Sequence, residues 1–388
     1  MQVKSLLCLF LIDKDPSLTG APRTVLNLLT GLHKRGFQPV LVTQRESPLT
    51  ERLRERGISV EILSLPPILD VFDEGVFEYS WAQKAKAIKA VFDYNRKIRQ
   101  LAEEHGIKRV WARNIKGVLM VGIAASRLGA PLFWDMGYEK DLSGVKRVIH
   151  WVGFSLATSI ITQSERQFPE TFGSWTEELV GHKVRHIYPG IDTERRSMLQ
   201  AASEKQPGEK RTVLSIGNIH PRKNQAMTIR ALAPLLRCVD DIRLLIAGAV
   251  RDKEYRDELR SLVKKRNVTG SVHFLGWRDD IPNLLGQSDL FVLSSQREGI
   301  PHVVREAMFA RVPVVATRVG GVPESVRHGK TGYLVEPNDC DGLRKHARKL
   351  LQDPTLRREM GKNAAEFARD RFSNSAWVES YANVLEAT

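Results

Sequence analysis

The stretch FVLSSQREGIPHVVREAMFARVPVVATRVGGVPE, Phe291–Glu324, decides how the rest of the chain is read. With Leu290 before it, it parses as a strand over Leu290–Ser295, a loop holding Glu298 and Gly299, and a short helix opened by Pro301. A second strand over Val312–Thr317 and a double-glycine turn, Gly320-Gly321, follow. Continuous apolar strands of this kind belong to a parallel sheet covered on both faces. Proline in the first turn of a helix gives up no needed N–H, so the free amides just after it can face an anion. Glu298 and Glu306 stand eight positions apart, one in the loop and one in the helix. Carboxylates bind hydroxyls and free amides bind phosphate, so the stretch points to a ligand that carries both.

Around it, the 388 residues are enough for two domains of about 190, each with its own core. Cys8, Cys238 and Cys340 lie far apart with no CxxC, which points to a reducing compartment and away from a cysteine-ligated metal. Cys8, in an expected core strand, reads as a small apolar side chain. The net charge of +14 is spread over both halves, and such an excess suits anionic small molecules, an acidic membrane surface or nucleic acid. Nucleic-acid motifs, interleaved aromatic and basic residues and zinc-finger spacings are all missing, so no nucleic-acid partner is expected. The opening MQVKSLLCLFLI is apolar like a signal peptide but has no small-residue cleavage site and runs straight into DKDPSLTG. It reads as a first core strand. No segment reaches 18 apolar residues without charge, and Val148–Thr162 reads as buried helix and strand.

Taken in order, a strand over 4–12, the turn holding Gly20, a helix with Val25, Leu26, Leu28, Leu29 and Leu32 at helical spacing, and the strand PVLVTQ form half of a nucleotide fold. The GxGxxG fingerprint is missing, which argues against a dinucleotide site. Gly20 reads either as a simple turn or as a point of close backbone approach. Residues 81–105 predict a long basic amphipathic helix with Trp81, Ala85, Ile88, Val91, Phe92, Ile98 and Leu101 roughly on one face. Its basic side is either a solvated surface or a contact with an anionic membrane. Asp135 falls at the C-terminal end of a strand, where open α/β sheets put ligand groups; a base, a hydroxyl-binding group and a helix cap all fit. Residues 193–210 read as an interdomain linker. Beyond them a strand delivers Gly217 and Asn218 to a turn, with Arg222 and Lys223 just before a helix, an arrangement suited to clamping a diphosphate.

With these pieces in hand, residues 4–388 resemble a GT-B glycosyltransferase of the large retaining family 4. The motif EGIPHVVRE carries the Glu-x7-Glu signature, and SIGNIHPRKN, IAG, VHFLGW, SDLFVLSS, TGYLV and YPGID stand in the order and spacing of that family. The resemblance implies an α/β fold of two Rossmann-like domains facing across a cleft. These would span 1–192 and 211–372, with 193–210 as linker and a helix over 373–388 crossing back to the first domain. Lys223 would contact the donor's diphosphate, with Gly217, Asn218 and Arg222 beside it. Glu298 would hold hydroxyls of the transferred sugar, helped by the amides of Gly299, Ile300, Pro301 and His302, although proline itself has no N–H to offer. Glu306 would take the ribose hydroxyls, and Gly20 would let the first domain approach phosphate or acceptor. Four positions depart from the family pattern: Asn218 stands where an arginine is usual, Arg311 where a glycine is usual, and Arg113 and Asp135 where acceptor-side histidines are usual.

The implied reaction moves a hexosyl or N-acetylhexosaminyl group from a UDP-, GDP- or ADP-linked sugar to a glycan or lipid-linked saccharide, as in bacterial surface polysaccharide synthesis. Glu298, Lys223 and Asp135 are the catalytic candidates. No cofactor is expected beyond the donor substrate. Neither D-x-D string, Asp13-Lys14-Asp15 or Asp339-Cys340-Asp341, sits beside the expected diphosphate clamp, so no metal is expected either. The expected location is the cytoplasm, with peripheral contact at the inner membrane face. Another GT-B activity such as a nucleotide-sugar epimerase, and a non-catalytic nucleotide-sugar-binding protein, are the alternatives.

Overall fold

The structure, a computed structural model, describes residues 4–11, 21–70, 79–137, 144–202, 210–239 and 241–387. Gly20 and the string Asp13-Lys14-Asp15 lie outside them. The chain divides into two compact units, Met1–Ile187 with Trp377–Thr388, and Tyr188–Ala376.

The first unit holds seven parallel strands: β1 (Lys4–Leu9), β2 (Phe37–Thr43), β3 (Ser59–Ile62), β4 (Arg109–Arg113), β5 (Leu132–Asp135), β6 (Ser159–Thr162) and β7 (Val184–His186). Their order is β3-β2-β1-β4-β5-β6-β7. Successive side chains of a strand point to opposite faces, and here both faces are apolar. Leu7 and Leu9 join a cluster with Tyr94, Ile98, Val121 and Phe154 from the helices that follow β3, β4 and β5. Leu6 and Cys8 point the other way, to Leu29, Trp111, Trp377 and Tyr381. Trp377 and Tyr381 belong to the last helix, Asn374–Glu386, which packs on the first unit's sheet although it is the far end of the chain. Lys4 reaches Glu386 at 2.5 Å and the Arg109 Nε donates to the Leu385 carbonyl at 2.6 Å, which pins the end of that helix.

The second unit has β8 (Arg211–Ile216), β9 (Ile242–Ala247), β10 (Val272–Gly276), β11 (Leu290–Leu293), β12 (Val314–Thr317) and β13 (Gly332–Val335), again all parallel, in the order β10-β9-β8-β11-β12-β13. Leu290 and Val292 face one core cluster, Phe291 and Leu293 the other. The apolar runs of the sequence are therefore strands buried on both sides.

Two expectations need correction. Residues 193–202, read from sequence as linker, form the helix Thr193–Ala202, which buries Arg195, Leu199 and Ala202 in the second unit. Tyr188–Asp192 also fall in that unit: the Tyr188 hydroxyl donates to Glu324 at 2.8 Å and the Ile191 N–H to the Phe372 carbonyl at 3.0 Å. The second correction concerns the helix Trp81–Glu104. Ile98 is buried against the sheet, but Trp81, Ile88 and Phe92 are 86%, 59% and 52% exposed, so the single apolar face read from the sequence is two faces.

Candidate active site

In an open parallel sheet, ligands bind outside the carboxyl ends of the strands where the strand order reverses. In the second unit that point lies between β8 and β11. The residues that leave those two ends are Gly217-Asn218 after β8 and Ser294 to Glu298 after β11. The candidate site is built from these two turns and the helix starts that follow them.

The turn after β8 is cross-braced. The Gln225 amide, buried to 2% exposure, donates to the Asn218 carbonyl at 3.0 Å and the Gly217 carbonyl at 3.3 Å. Ser294 donates to the Asn224 carbonyl at 2.8 Å, and the Gln296 N–H to the Arg222 carbonyl at 2.9 Å, so the Pro221–Lys223 turn is tied to the end of β11. Lys223 is thereby aimed across the strand ends, and its Nζ donates to Glu298 Oε1 at 2.6 Å. Ser295 Oγ donates to the same oxygen at 2.6 Å. The side chains of Lys223 and Glu298 are 18% and 11% exposed, which shields the pair while leaving an edge to solvent. Asn218 and Arg222 are exposed beside them. Gly320 completes the wall: a Cβ there would lie 1.8 Å from the Glu298 carbonyl oxygen, and its φ of +46° is in the region that favours glycine.

After Glu298, Gly299 and the buried Ile300 and Pro301 lead into the helix His302–Phe309, with Pro301 as its N-cap. The amides at its start have no carbonyl one turn earlier within the helix, so they are available to an anion. His302 Nδ1 accepts from the Arg305 guanidinium at 2.6 Å. One turn on, Glu306 accepts from Arg195 Nε at 2.7 Å. Arg305 is wholly buried; it also donates to the carbonyls of Pro189 and, at 3.1 Å, Gly190, and burial lowers its pKa to about 10. The helix closes in a hydrogen-bonding pattern of its own: the Val312 N–H reaches the Ala307 carbonyl at 2.9 Å and the Arg311 N–H the Met308 carbonyl at 3.0 Å. Arg311 takes φ +57° in the C′ position where glycine is the easy choice. A left-handed non-glycine residue costs roughly 1–2 kcal/mol, so arginine here is tolerated at some expense and leaves the turn intact.

The structure thus brings Gly217, Asn218, Arg222, Lys223, Glu298, Gly299, Ile300, Pro301, His302 and Glu306 to the switch-point edge of one sheet. It does not bring Asp135 to solvent. At the end of β5 in the first unit, Asp135 is 2% exposed and hydrogen-bonded to Tyr381 of the last helix. Burial raises its pKa, partly offset by Arg113 and by that bond, and burial likewise raises Tyr381. A carboxyl buried in this way packs against the terminal helix and is withdrawn from solvent among the described residues. Asp339, in the other D-x-D string, caps the helix Cys340–Gln352 by accepting from the Gly342 N–H at 2.8 Å. Among the described residues no cluster of His, Cys, Asp or Glu is arranged to hold a metal. Sequence reasoning missed Ser295, Gln225, Arg195 and Arg305. Ser295, at the mouth of a strand already singled out, could have been found; buried arginines leave no such mark.

The 'Glycosyl transferases group 1' profile matches residues 199–367, and the 'Glycosyl transferase 4-like domain' profile matches residues 19–215. The chain belongs to this glycosyltransferase family. It is 35% identical over 215 residues to the N-acetyl-alpha-D-glucosaminyl L-malate synthase of Bacillus anthracis, a match that spans 54% of this chain and 55% of that one. To the GDP-mannose-dependent alpha-(1-6)-phosphatidylinositol monomannoside mannosyltransferase of Mycolicibacterium smegmatis it is 28% identical over 311 residues, 75% and 78% of the two chains. Among solved structures, Anabaena HepE in complex with UDP superposes with a TM-score of 0.76 at 22% identity, covering 100% of both chains. A glycosyltransferase from Rickettsia africae gives 0.82 at 15%, covering 100% of this chain and 99% of that one. These likenesses show a shared fold, the two Rossmann-like units of GT-B glycosyltransferases.

Proposed function

We propose that this glycosyltransferase transfers a hexosyl or N-acetylhexosaminyl group, with retention and without a metal, from a UDP-, GDP- or ADP-sugar to a glycan or lipid-linked saccharide acceptor in bacterial surface polysaccharide synthesis. The observation that carries the reading is the Lys223–Glu298 pair at the switch point of the second sheet, with Glu306 one helix turn past the amides of His302 and Val303. Relatives named for GDP-mannose-dependent mannosyl transfer and for lipopolysaccharide core biosynthesis support the choice of donor and acceptor class.

Breaking the anomeric C–O bond builds positive charge on the sugar and negative charge on the departing diphosphate. Lys223, with Arg222 beside it and the amides at the start of the His302–Phe309 helix, is suited to the second of these. A donor would exchange the ion pair for phosphate on Lys223 and ring hydroxyls on Glu298, whose charge favours an oxocarbenium-like centre. Ser295 keeps the carboxylate oriented during that exchange. Glu306 accepts from the ribose hydroxyls. With retention the acceptor hydroxyl approaches from the diphosphate face, and the leaving phosphate takes its proton, so no protein base is called on. A double displacement would instead need a carboxylate nucleophile at the anomeric carbon, and among the described residues of this site Glu298 and Glu306 are given to the sugar and ribose hydroxyls.

A screen of UDP-, GDP- and ADP-sugars for binding, hydrolysis and transfer tests the reading. Removing one well-placed donor of this kind commonly costs about 10²–10³ in kcat. Lys223→Ala and Glu298→Ala are each expected to lose at least a hundredfold in turnover while keeping the native circular dichroism. Binding of a sugar nucleotide with neither hydrolysis nor transfer would favour a non-catalytic binder instead.

For the acceptor side, the observation is the outer stripe of the helix Trp81–Glu104. Trp81, Ile88 and Phe92 are exposed there, with Lys84, Lys89, Arg96 and Arg99 on the same side of the helix by its 100° spacing. Exposed apolar residues among cations suit an anionic membrane surface, and this supports the reading of an enzyme that works in the cytoplasm at the inner face of the membrane. No helix among the described residues is long and apolar enough to cross a membrane.

A further inference from the structure

We propose that Arg195 is a positioning residue that makes donor binding selective for an intact ribose, by fixing one oxygen of Glu306 so that the other meets the sugar hydroxyls. The proposal rests on Glu306 as the ribose acceptor. Asp192 caps the helix Thr193–Ala202, its carboxylate accepting from the Arg195 N–H at 2.7 Å, and this sets Arg195 in the first turn with its side chain turned inward. Nε then donates to Glu306 Oε1 at 2.7 Å, with the two side chains only 10% and 15% exposed. Glu306 Oε2 makes no hydrogen bond among the described residues.

A glutamate carries several rotatable bonds, and ordering them on binding detracts from affinity. Arg195 does that ordering in advance. It occupies Oε1 alone, and the second carboxylate oxygen remains an acceptor for the hydroxyls of a vicinal diol. The neighbouring Arg305 strengthens the arrangement: by donating to the carbonyls of Pro189 and Gly190 it hangs the same helix from the same segment of chain. Two adjacent arginine contacts thus fix the backbone and the side chain of the expected ribose-binding position. Exposure decides that this pair matters: exposed ion pairs contribute little, whereas a shielded pair that loses one partner leaves an uncompensated charge.

The test is isothermal titration of the full chain with UDP, GDP and ADP and with their 2′-deoxy and 3′-deoxy counterparts, on wild type, Arg195→Met, Arg195→Lys, Glu306→Ala and the Arg195→Met/Glu306→Ala double variant. The nucleotide that binds wild type is expected to bind at least tenfold better than a deoxy counterpart. Arg195→Met should weaken the ribonucleotide about tenfold and that deoxynucleotide less than twofold, Arg195→Lys should recover part of the ratio, and the double variant should bind no worse than Glu306→Ala. Equal losses for both sugars would show a merely structural role and overturn the proposal. If Arg195→Met does not fold, Arg195→Lys decides, and an unchanged ratio there overturns it too. Should Glu306→Ala itself keep the full preference, the ribose reading of Glu306 falls and takes this proposal with it.

Discussion

At the scale of single residues, the site shows how an ion pair, a hydroxyl and a glycine make one working unit. Lys223 and Glu298 come from turns 75 positions apart, and each depends on backbone that other residues hold still. Asp135 is the opposite case, a carboxyl removed from solvent. Because its folded pKa is raised, the folded protein binds more protons than the unfolded chain between the ordinary aspartate value and the raised one. Stability contributed by this group is therefore present at low pH and lost as pH rises through that window. Asp135→Asn keeps the size and the chance of a bond with Tyr381 but removes the charge. It is expected to match or exceed wild-type stability at pH 7, to flatten the fall of the urea midpoint as pH rises above the ordinary aspartate range, and to leave glycosyl transfer intact. A variant that folds but has lost transfer would restore Asp135 to the chemistry.

At the scale of elements, the apolar runs of β1, β8, β11 and β12 could be read directly, because a strand buried on both faces has little room for polar residues. The loop and helix that hold Glu298 and Glu306 were equally legible, since proline and glycine mark their ends. The helix Thr193–Ala202 was not. Its mean hydropathy is low, one buried side chain is an arginine, and its pairing with Glu306 is a contact across 111 positions that no local pattern announces. The helix Trp81–Glu104 misled in another way: apolar residues on two faces blur into one when only spacing is counted. Its outer stripe carries the membrane prediction. Wild type should cosediment with vesicles containing phosphatidylserine and be released by salt, since charge screening shortens to a few ångströms as salt rises. Trp81→Ser/Ile88→Ser/Phe92→Ser should reduce that binding at least tenfold with the fold unchanged. Equal binding by wild type and the triple variant would rule out this face.

At the scale of the whole molecule, two parallel sheets are each wrapped in helices, and the last helix belongs to the first unit in space while following the second in sequence. Its return sets Tyr381 against Asp135 from 246 positions away, a contact invisible from the strand alone. The reversal of strand order between β8 and β11 could not be read from the chain either; the sheet shows it. That reversal explains why two distant turns share an edge, and the account of function depends on that edge. The direct measurement is a crystal structure with whichever of UDP, GDP or ADP binds most tightly. The account predicts the diphosphate on Lys223 and the amides of His302 and Val303, with the ribose on Glu306 Oε2. A nucleotide seated away from the β8–β11 edge, with the Lys223–Glu298 and Arg195–Glu306 pairs undisturbed, would contradict it.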